Sequence, residues 1–94
     1  MSRSPEPSPS RSPTTACFAV HAAAEAGVMP RVLELFAKRG LVPTRWHSVV
    51  SGPNLDQLHM DVQINDLPDA VFDRIAACLR ELPLVDVVLT SRKG

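Results

Sequence analysis

The chain has 94 residues, which is the length of one small domain. Its ten basic and ten acidic side chains give a net charge of zero without a basic stripe, which argues against nucleic-acid binding by phosphate neutralisation. No apolar run approaches the roughly 20 residues that cross a bilayer. Cys17 and Cys78 form neither a CxxC pair nor a disulfide framework. We therefore expect a soluble, cytoplasmic protein with reduced cysteines and with neither a membrane nor a nucleic-acid partner.

Residues 1–15 differ in composition from the rest of the chain. They hold four prolines and five serines, and no apolar residue follows Met1. Such a segment cannot bury enough apolar surface to offset its ordering entropy, and it lacks the apolar core of a secretory signal. We predict a disordered Ser/Pro/Arg-rich tail over residues 1–15 and one domain over residues 16–94, small enough that oligomerisation is expected.

The first half of the domain is predicted to form a strand, a helix and a second strand. Period-two alternation marks residues 16–25 and 44–51 as strands, and spacing of 3.6 residues marks residues 29–39 as a helix that ends at Gly40. The side chains expected to face the core are Phe18, Val20, Ala22, Met29, Val32, Leu33, Phe36, Trp46, Ser48 and Val50.

The second half repeats this pattern in the order strand, helix, strand. Residues 58–65 alternate most cleanly of all, a helix is predicted from Pro68 until Pro83 stops it, and residues 85–92 form the last strand. The side chains expected to face the core are Leu58, Met60, Val62, Ile64, Val71, Phe72, Ile75, Leu79 and Leu82.

This order, βαββαβ, is that of the split-βαβ or ferredoxin-like α+β sandwich. Right-handed crossovers put both helices on one face of a four-stranded antiparallel sheet with the strand order 4-1-3-2, and they leave the other face open. No Ser-His-Asp spacing, Walker loop or paired-carboxylate arrangement is recognisable. We therefore predict no catalytic residues and favour a regulatory or assembly module over an enzyme.

The segment from Gly27 to Gly40, GVMPRVLELFAKRG, follows the first strand. Together with the βαββαβ order, it resembles an ACT domain, and the resemblance covers nearly all of residues 16–92. A narrower motif is similar to the small regulatory subunit of acetohydroxyacid (acetolactate) synthase. That motif consists of Arg31-Val32, Leu35-Phe36 and Lys38-Arg39-Gly40.

The resemblance implies a regulatory subunit that forms a homodimer by ACT–ACT pairing and modulates a large catalytic synthase chain. It also implies that an amino-acid effector, a branched-chain amino acid in the synthase subunit, binds where the loop after the first strand meets the neighbouring unit. The residues at that position here are Glu25, Ala26, Gly27, Val28 and Met29. Thiamine diphosphate, FAD and magnesium belong to the large chain in that family, so no cofactor is expected on this one.

The chemistry of this loop agrees with an effector site in part. Gly27 has no Cβ, so a ligand could approach the backbone and φ could be positive, although the glycine could equally serve only to make the turn. Backbone N–H groups at a helix start favour a carboxylate. Ala24 stands where many effector-binding members have Asp or Asn, and Ala26 replaces the usual proline. We infer weak effector binding or none, with Glu25 as either a substitute carboxylate or a solvated bystander.

Three histidines are predicted on the open face of the sheet. His21, His47 and His59 lie on strands one, two and three, with Asp61 nearby. A polar face or a dimer contact is the favoured interpretation, and a zinc, copper or nickel site is the alternative. The histidines thus give one functional alternative to the synthase subunit, a histidine-based metal-binding ferredoxin-like module. The ACT resemblance gives another, a stand-alone ACT-type small-molecule sensor.

Overall fold

The computed structural model describes residues 14–94, so nearly all of the predicted tail lies outside the described residues. Thr15 opens the first strand, one residue before the predicted start of the domain, because it pairs with Asn65 and Lys93. The elements in chain order are β1 (Thr15–Ala23), α1 (Val28–Ala37), β2 (Arg45–Ser51), β3 (Gln57–Asn65), α2 (Asp69–Arg80) and β4 (Val85–Lys93).

The four strands form one antiparallel sheet in the order β2-β3-β1-β4. The predicted ferredoxin-like sandwich and its strand order are confirmed. In the centre of the sheet, Phe18 pairs with Val62 on β3 and with Thr90 on β4. The register of β1 and β4 shifts between His21 and Ala22, which forms a bulge near the start of β4.

Burial alternates strictly along β1 and β3, because successive side chains of a strand point to opposite faces. Both helices cover the same face of the sheet and bury one apolar stripe each. The core formed in this way consists of Ala16, Phe18, Val20, Ala22, Val28, Val32, Phe36, Leu58, Met60, Val62, Ile64, Leu67, Ile75, Ala76, Leu79 and Val88. Burying each large side chain contributes about 1.5–3 kcal/mol to folding.

The C-terminus of α1 is set by backbone hydrogen bonds around Gly40. The Leu41 N–H donates to the Phe36 carbonyl at 2.9 Å, and the Gly40 N–H donates to the Ala37 carbonyl at 2.9 Å. This pair of bonds is a Schellman motif, which needs a left-handed residue, and Gly40 has φ of +70°. The predicted role of Gly40 is confirmed, and the regular helix ends two residues before the predicted Arg39.

Two of the residues predicted to face the core are exposed rather than buried. Leu33 is 43% exposed, because Val28, Val32 and Phe36 form the buried stripe and place Leu33 on the flank of α1. Val50 lies on the helix side of β2 but is 47% exposed, because β2 is an edge strand with a neighbour on one side only. Met29, one helical turn before Leu33, lies 3.7 Å from the Ser48 hydroxyl of β2, so Leu33 and Val50 lie on the same side of the domain, towards the free edge of β2.

The second helix begins one residue later than predicted. Pro68 occupies the N-cap position of α2 with an extended backbone, so the first helical residue is Asp69. The first turn is attached to the end of β4 through Arg92, whose Nη2 donates to the Leu67 carbonyl at 2.9 Å and to Asp69 Oδ1 at 2.7 Å. The same guanidinium lies 4.5 Å from the centre of the Phe72 ring.

The other face of the sheet carries apolar side chains of β4. Ala19 pairs with Leu89 and His21 pairs with Val87, so β4 places Val87 and Leu89 on the open face. Leu89 is 57% exposed. No helix of the part that the structure describes is long and apolar enough to cross a membrane.

Candidate functional site

Two loops meet at one end of the sheet, where β1 finishes between its neighbours β3 and β4. The Ala23 N–H donates to the Leu84 carbonyl at 2.9 Å, which ties β1 to the α2–β4 loop. The Ala24 N–H donates to the Asp56 carbonyl at 3.0 Å, which ties it to the β2–β3 loop. These bonds end β1 earlier than the predicted residue 25 and hold the β1–α1 loop beside the α2–β4 loop.

A pocket of about 250 Å³ lies between the β1–α1 loop and the α2–β4 loop, and we call it the corner pocket. A volume of this size is below the roughly 300–1,000 Å³ of pockets for drug-sized ligands, so it suits a small metabolite. The residues that line the corner pocket are Glu25, Gly27, Val28, Arg31, Leu82, Pro83, Leu84 and Val85.

The corner pocket combines two opposite charges with an apolar wall. Glu25 supplies a carboxylate and Arg31 a guanidinium, and among residues 14–94 the two do not form an ion pair with each other. Each charge is therefore available to a ligand group of the opposite sign. Leu82 and Val85 are partly buried against the core and supply apolar surface.

The start of α1 offers fewer free N–H groups than predicted. The Val28 N–H donates to the Glu25 carbonyl at 3.1 Å, so this amide is already bonded within the loop. No side chain caps the helix, and its first turn holds no acidic residue. The helix dipole at this end favours an anion by about 0.3–1 kcal/mol when exposed.

The backbone of Gly27 does not use the positive φ that a glycine allows. Its φ is −80° and its ψ is −5°, which any residue adopts. A Cβ built at Gly27 meets nothing within 4 Å. Neither the turn nor a neighbouring atom requires a glycine at this position, which leaves the surface above Gly27 open to a ligand.

A second backbone feature lies on the opposite wall of the corner pocket. Leu84 has φ of +74°, in the left-handed region that bulky residues rarely adopt. Its carbonyl accepts the bond from Ala23, and its side chain is 46% exposed. Left-handed geometry in an L-residue costs roughly 1–2 kcal/mol, so the surrounding hydrogen bonds must hold Leu84 in place.

Three of the five predicted effector-binding residues line the corner pocket. Glu25, Gly27 and Val28 line the corner pocket, whereas Ala26 and Met29 do not. Met29 instead lies over β2, where the Ser48 hydroxyl is 3.7 Å from its sulfur. Sequence reasoning missed Arg31 and the segment 82–85.

The signals available for these missed residues differ. Arg31 lies three residues after Val28, and this helical spacing could have placed both on one face. The segment 82–85 has no comparable signal, because only the β-sheet topology brings it to the β1–α1 loop.

The three histidines do not come together as the alternative of a metal site requires. His21 and His59 are opposite each other on β1 and β3. Their rings stack with 4.1 Å between the ring centroids and 10° between the ring planes. His47 instead pairs with Asp61, because β2 pairs with β3 in a register that puts Val49 beside His59. The residues from 14 to 94 contain no group of three or more His, Cys, Asp or Glu side chains arranged to hold a metal ion.

Both cysteines are free and half-buried. Cys17 lies on β1, on the open face of the sheet, where it pairs with Gln63 and Ser91. Cys78 lies on α2, where its sulfur is 3.6 Å from Arg39 Nη2. The absence of catalytic residues remains a prediction.

Several solved structures share this fold at low sequence identity. The ACT domain from GTP pyrophosphokinase of Chlorobium tepidum matches with a TM-score of 0.65 at 11% identity, covering 84% of this chain and 86% of that one. The C-terminal domain of the MgtC protein from Mycobacterium tuberculosis matches with a TM-score of 0.67 at 14% identity, covering 84% and 86%.

A longer relative contains the fold as one part. The regulatory subunit of aspartate kinase from Thermus flavus matches with a TM-score of 0.61 at 13% identity over 86% of this chain, which spans 51% of that subunit. Identities this low show the fold alone. No curated protein sequence matches the chain.

The family comparison is more specific than these structural likenesses. A family model described as an ACT-like domain matches residues 10–92, which includes every strand and helix of the structure except Lys93, the last residue of β4. The match also spans both walls of the corner pocket. The chain therefore belongs to the ACT-like domain family.

Proposed function

We propose that this chain is a non-catalytic regulatory domain that binds an amino acid in the corner pocket and modulates a partner enzyme chain. Membership of the ACT-like domain family supports a regulatory role, as does the fold shared with a regulatory subunit of aspartate kinase. The observation on which the proposal depends is the placement of Glu25 and Arg31 with an apolar wall in one small pocket.

The corner pocket is complementary to each part of an amino acid with an aliphatic side chain. Arg31 binds the ligand carboxylate, since a guanidinium forms paired hydrogen bonds with that group. Glu25 binds the ammonium group. Leu82 and Val85 cover the aliphatic side chain, and the volume of about 250 Å³ favours a small one. A branched-chain amino acid is therefore the proposed effector class.

Glu25 is proposed to take the ammonium-binding role that Ala24 cannot fill. Ala24 has no side chain that could hold an ammonium, and its N–H is bonded to Asp56. Glu25 follows it directly and lines the corner pocket, so we assign the ammonium to its carboxylate rather than treating Glu25 as a bystander. Gly27 leaves room for the ligand to approach the start of α1.

L-Valine is expected to bind the isolated chain, and both charged side chains are expected to be needed. Isobutylamine lacks the carboxylate and isovalerate lacks the ammonium, so each should bind about 10-fold or more weakly than L-valine. Arg31→Gln and Glu25→Gln should each weaken L-valine binding by a similar factor. Isothermal titration calorimetry measures these affinities, and NMR amide shifts locate the site.

Controls separate this site from general effects on the fold. Arg45→Gln changes an exposed arginine on the open face and should leave L-valine binding unchanged. The proposal is contradicted if L-valine does not saturate the wild-type chain, or if Arg31→Gln binds it with wild-type affinity. Binding of a different amino acid, with no binding of valine, leucine or isoleucine, would favour a stand-alone sensor of another pathway.

The proposed partner is a large catalytic chain of acetolactate synthase. The support is the similarity of the segment from Arg31 to Gly40 to the small subunit of that enzyme. The test mixes the purified chain with an acetolactate synthase large subunit and measures co-elution and activity, with and without L-valine. If the two chains do not co-elute and the activity does not change, acetolactate synthase is excluded as the partner. The proposal that the corner pocket binds an amino acid does not depend on that result.

A homodimer is the proposed assembly, formed through the free edge of β2. Leu33 and Val50 are 43% and 47% exposed near this edge, where strand pairing with a second copy would cover them. Leu33→Glu should therefore shift the chain from dimer to monomer in light scattering after size exclusion. Val42→Glu is the matched control, since Val42 is 81% exposed in a loop. A monomeric wild-type chain, or a dimeric Leu33→Glu variant, contradicts this arrangement.

A further inference from the structure

A second cavity lies at the other end of the two helices. It is a groove of about 460 Å³ between the residues that follow α1 and the start of α2, and we call it the helix-end groove. The corner pocket lies at the start of α1 and just beyond the end of α2, so the lengths of both helices separate the two cavities. The residues that line the helix-end groove are Arg39, Leu41, Leu67, Pro68, Ala70, Val71 and Arg74.

The floor of the helix-end groove is apolar and continuous with the core. Leu67 is 4% exposed and belongs to the buried cluster, and Leu41 and Val71 pack against that cluster from above. Pro68 and Ala70 extend the apolar surface to the rim. An apolar chain lying in the groove would therefore contact carbon atoms along its length.

Two arginines are the only charged residues that line the groove among those the structure describes. Arg39 is held in position because its Nη1 donates to the Leu35 carbonyl at 3.0 Å and its Nη2 lies 3.6 Å from the sulfur of Cys78. Arg74 lies on α2, one helical turn before Cys78. One guanidinium therefore belongs to the segment that follows α1 and the other to α2, on the two sides of the groove.

No carboxylate within residues 14–94 forms an ion pair with Arg39 or Arg74. Asp66, Asp69 and Asp73 are next to lining residues in the sequence but do not line the groove, and Arg92 binds the Asp69 carboxylate at 2.7 Å. The helix-end groove is therefore positively charged within a chain whose net charge is zero.

We propose that the helix-end groove is a binding site for an aliphatic carboxylate. The aliphatic chain lies on Leu41, Leu67 and Val71, and the carboxylate accepts hydrogen bonds from Arg39 and Arg74. A volume of about 460 Å³ is within the range of small-molecule pockets, about 300–1,000 Å³. Because exposed ion pairs are weak by themselves, both the charge and the apolar chain of the ligand are required. This site is independent of the amino-acid site in the corner pocket.

The test is a titration of the ¹⁵N-labelled full chain with octanoate, followed by amide chemical shifts. Saturable shifts are expected at the residues of the helix-end groove. Octanol has a similar chain without charge, acetate has the charge without the chain, and octyltrimethylammonium has the opposite charge. Each of these three probes should bind at least about 10-fold more weakly than octanoate.

Variants connect the binding to the two arginines. The double variant Arg39→Gln/Arg74→Gln should lose about 10-fold or more in octanoate affinity, while Arg45→Gln should bind like the wild type. Dispersed amide spectra of the double variant establish that it is folded.

Four results would overturn the proposal. They are octanoate binding that does not saturate, octanol or octyltrimethylammonium binding as tight as that of octanoate, shifts at the corner pocket, and wild-type affinity in the double variant. The L-valine titration of the corner pocket does not depend on any of these results, so the two proposals fail separately.

Discussion

Phe18→Ala is expected to lower the free energy of unfolding by about 3–5 kcal/mol. Phe18 is 1% exposed at the centre of the sheet. Its ring centroid lies 5.7 Å from that of Phe36, in an edge-to-face pair, and 5.1 Å from that of Phe72, so it packs against both helices at once. Removing the ring leaves a cavity that none of these three elements can fill without moving the others.

A loss of this size is large relative to the total stability of so small a domain. At about 0.05–0.15 kcal/mol per residue, a domain of about 80 residues has roughly 4–12 kcal/mol of unfolding free energy. Phe18→Ala should therefore shift the urea midpoint strongly and leave the chain partly unfolded at the low end of this range.

Val42→Ala is the control for the core variant, because Val42 is 81% exposed. It should change the unfolding free energy by less than about 0.5 kcal/mol. If Phe18→Ala lowered the free energy of unfolding by less than about 1 kcal/mol, the result would contradict the packing of this ring between the sheet and both helices.

Arg92→Met is expected to lower the free energy of unfolding by about 2–4 kcal/mol. The half-buried Leu67 carbonyl loses its donor, and the penalty for leaving an acceptor unpaired reaches about 1–3 kcal/mol. The position of the guanidinium over the Phe72 ring adds about 0.5–2 kcal/mol. Arg92 thus connects the last strand to the first turn of α2, and its loss should be measured by urea denaturation.

Two variants separate the contributions at this position. Asp69 is 90% exposed, so Asp69→Asn should cost less than about 1 kcal/mol although its distance to Arg92 is only 2.7 Å. Arg45→Met removes an exposed arginine on the open sheet face and is the matched control. If Arg92→Met cost no more than Asp69→Asn, the surface ion pair alone would account for the role of Arg92.

In the candidate site, the sequence predicts the residues that follow β1 but not those that are distant from it along the chain. Glu25, Gly27 and Val28 follow β1 directly, so locating the end of that strand also locates them. Leu84 and Val85 reach the same pocket because β4 pairs with β1. The positive φ of Leu84 has no composition signal, since the favoured residues for that geometry are glycine and asparagine.

For the histidines on the open face, the sequence predicts the face of the sheet but not the neighbouring side chains. Alternation along each strand correctly places His21, His47 and His59 on this face, because it depends only on the period of two. It does not predict which of them meet. The register of β2 against β3 pairs His47 with Asp61 and leaves only His21 and His59 stacked.

The sequence by itself determined the six elements, their order and the faces that strands β1 and β3 bury. These features depend on local periodicity and on the right-handed crossover, which hold for any chain of this pattern. The tertiary structure alone decided the register, the exposure of Leu33 beside the edge strand, and the second walls of the corner pocket and the helix-end groove. The physical reason is that a pocket between two elements depends on distances across the sheet and between helices, and the spacing of residues along one element does not contain them.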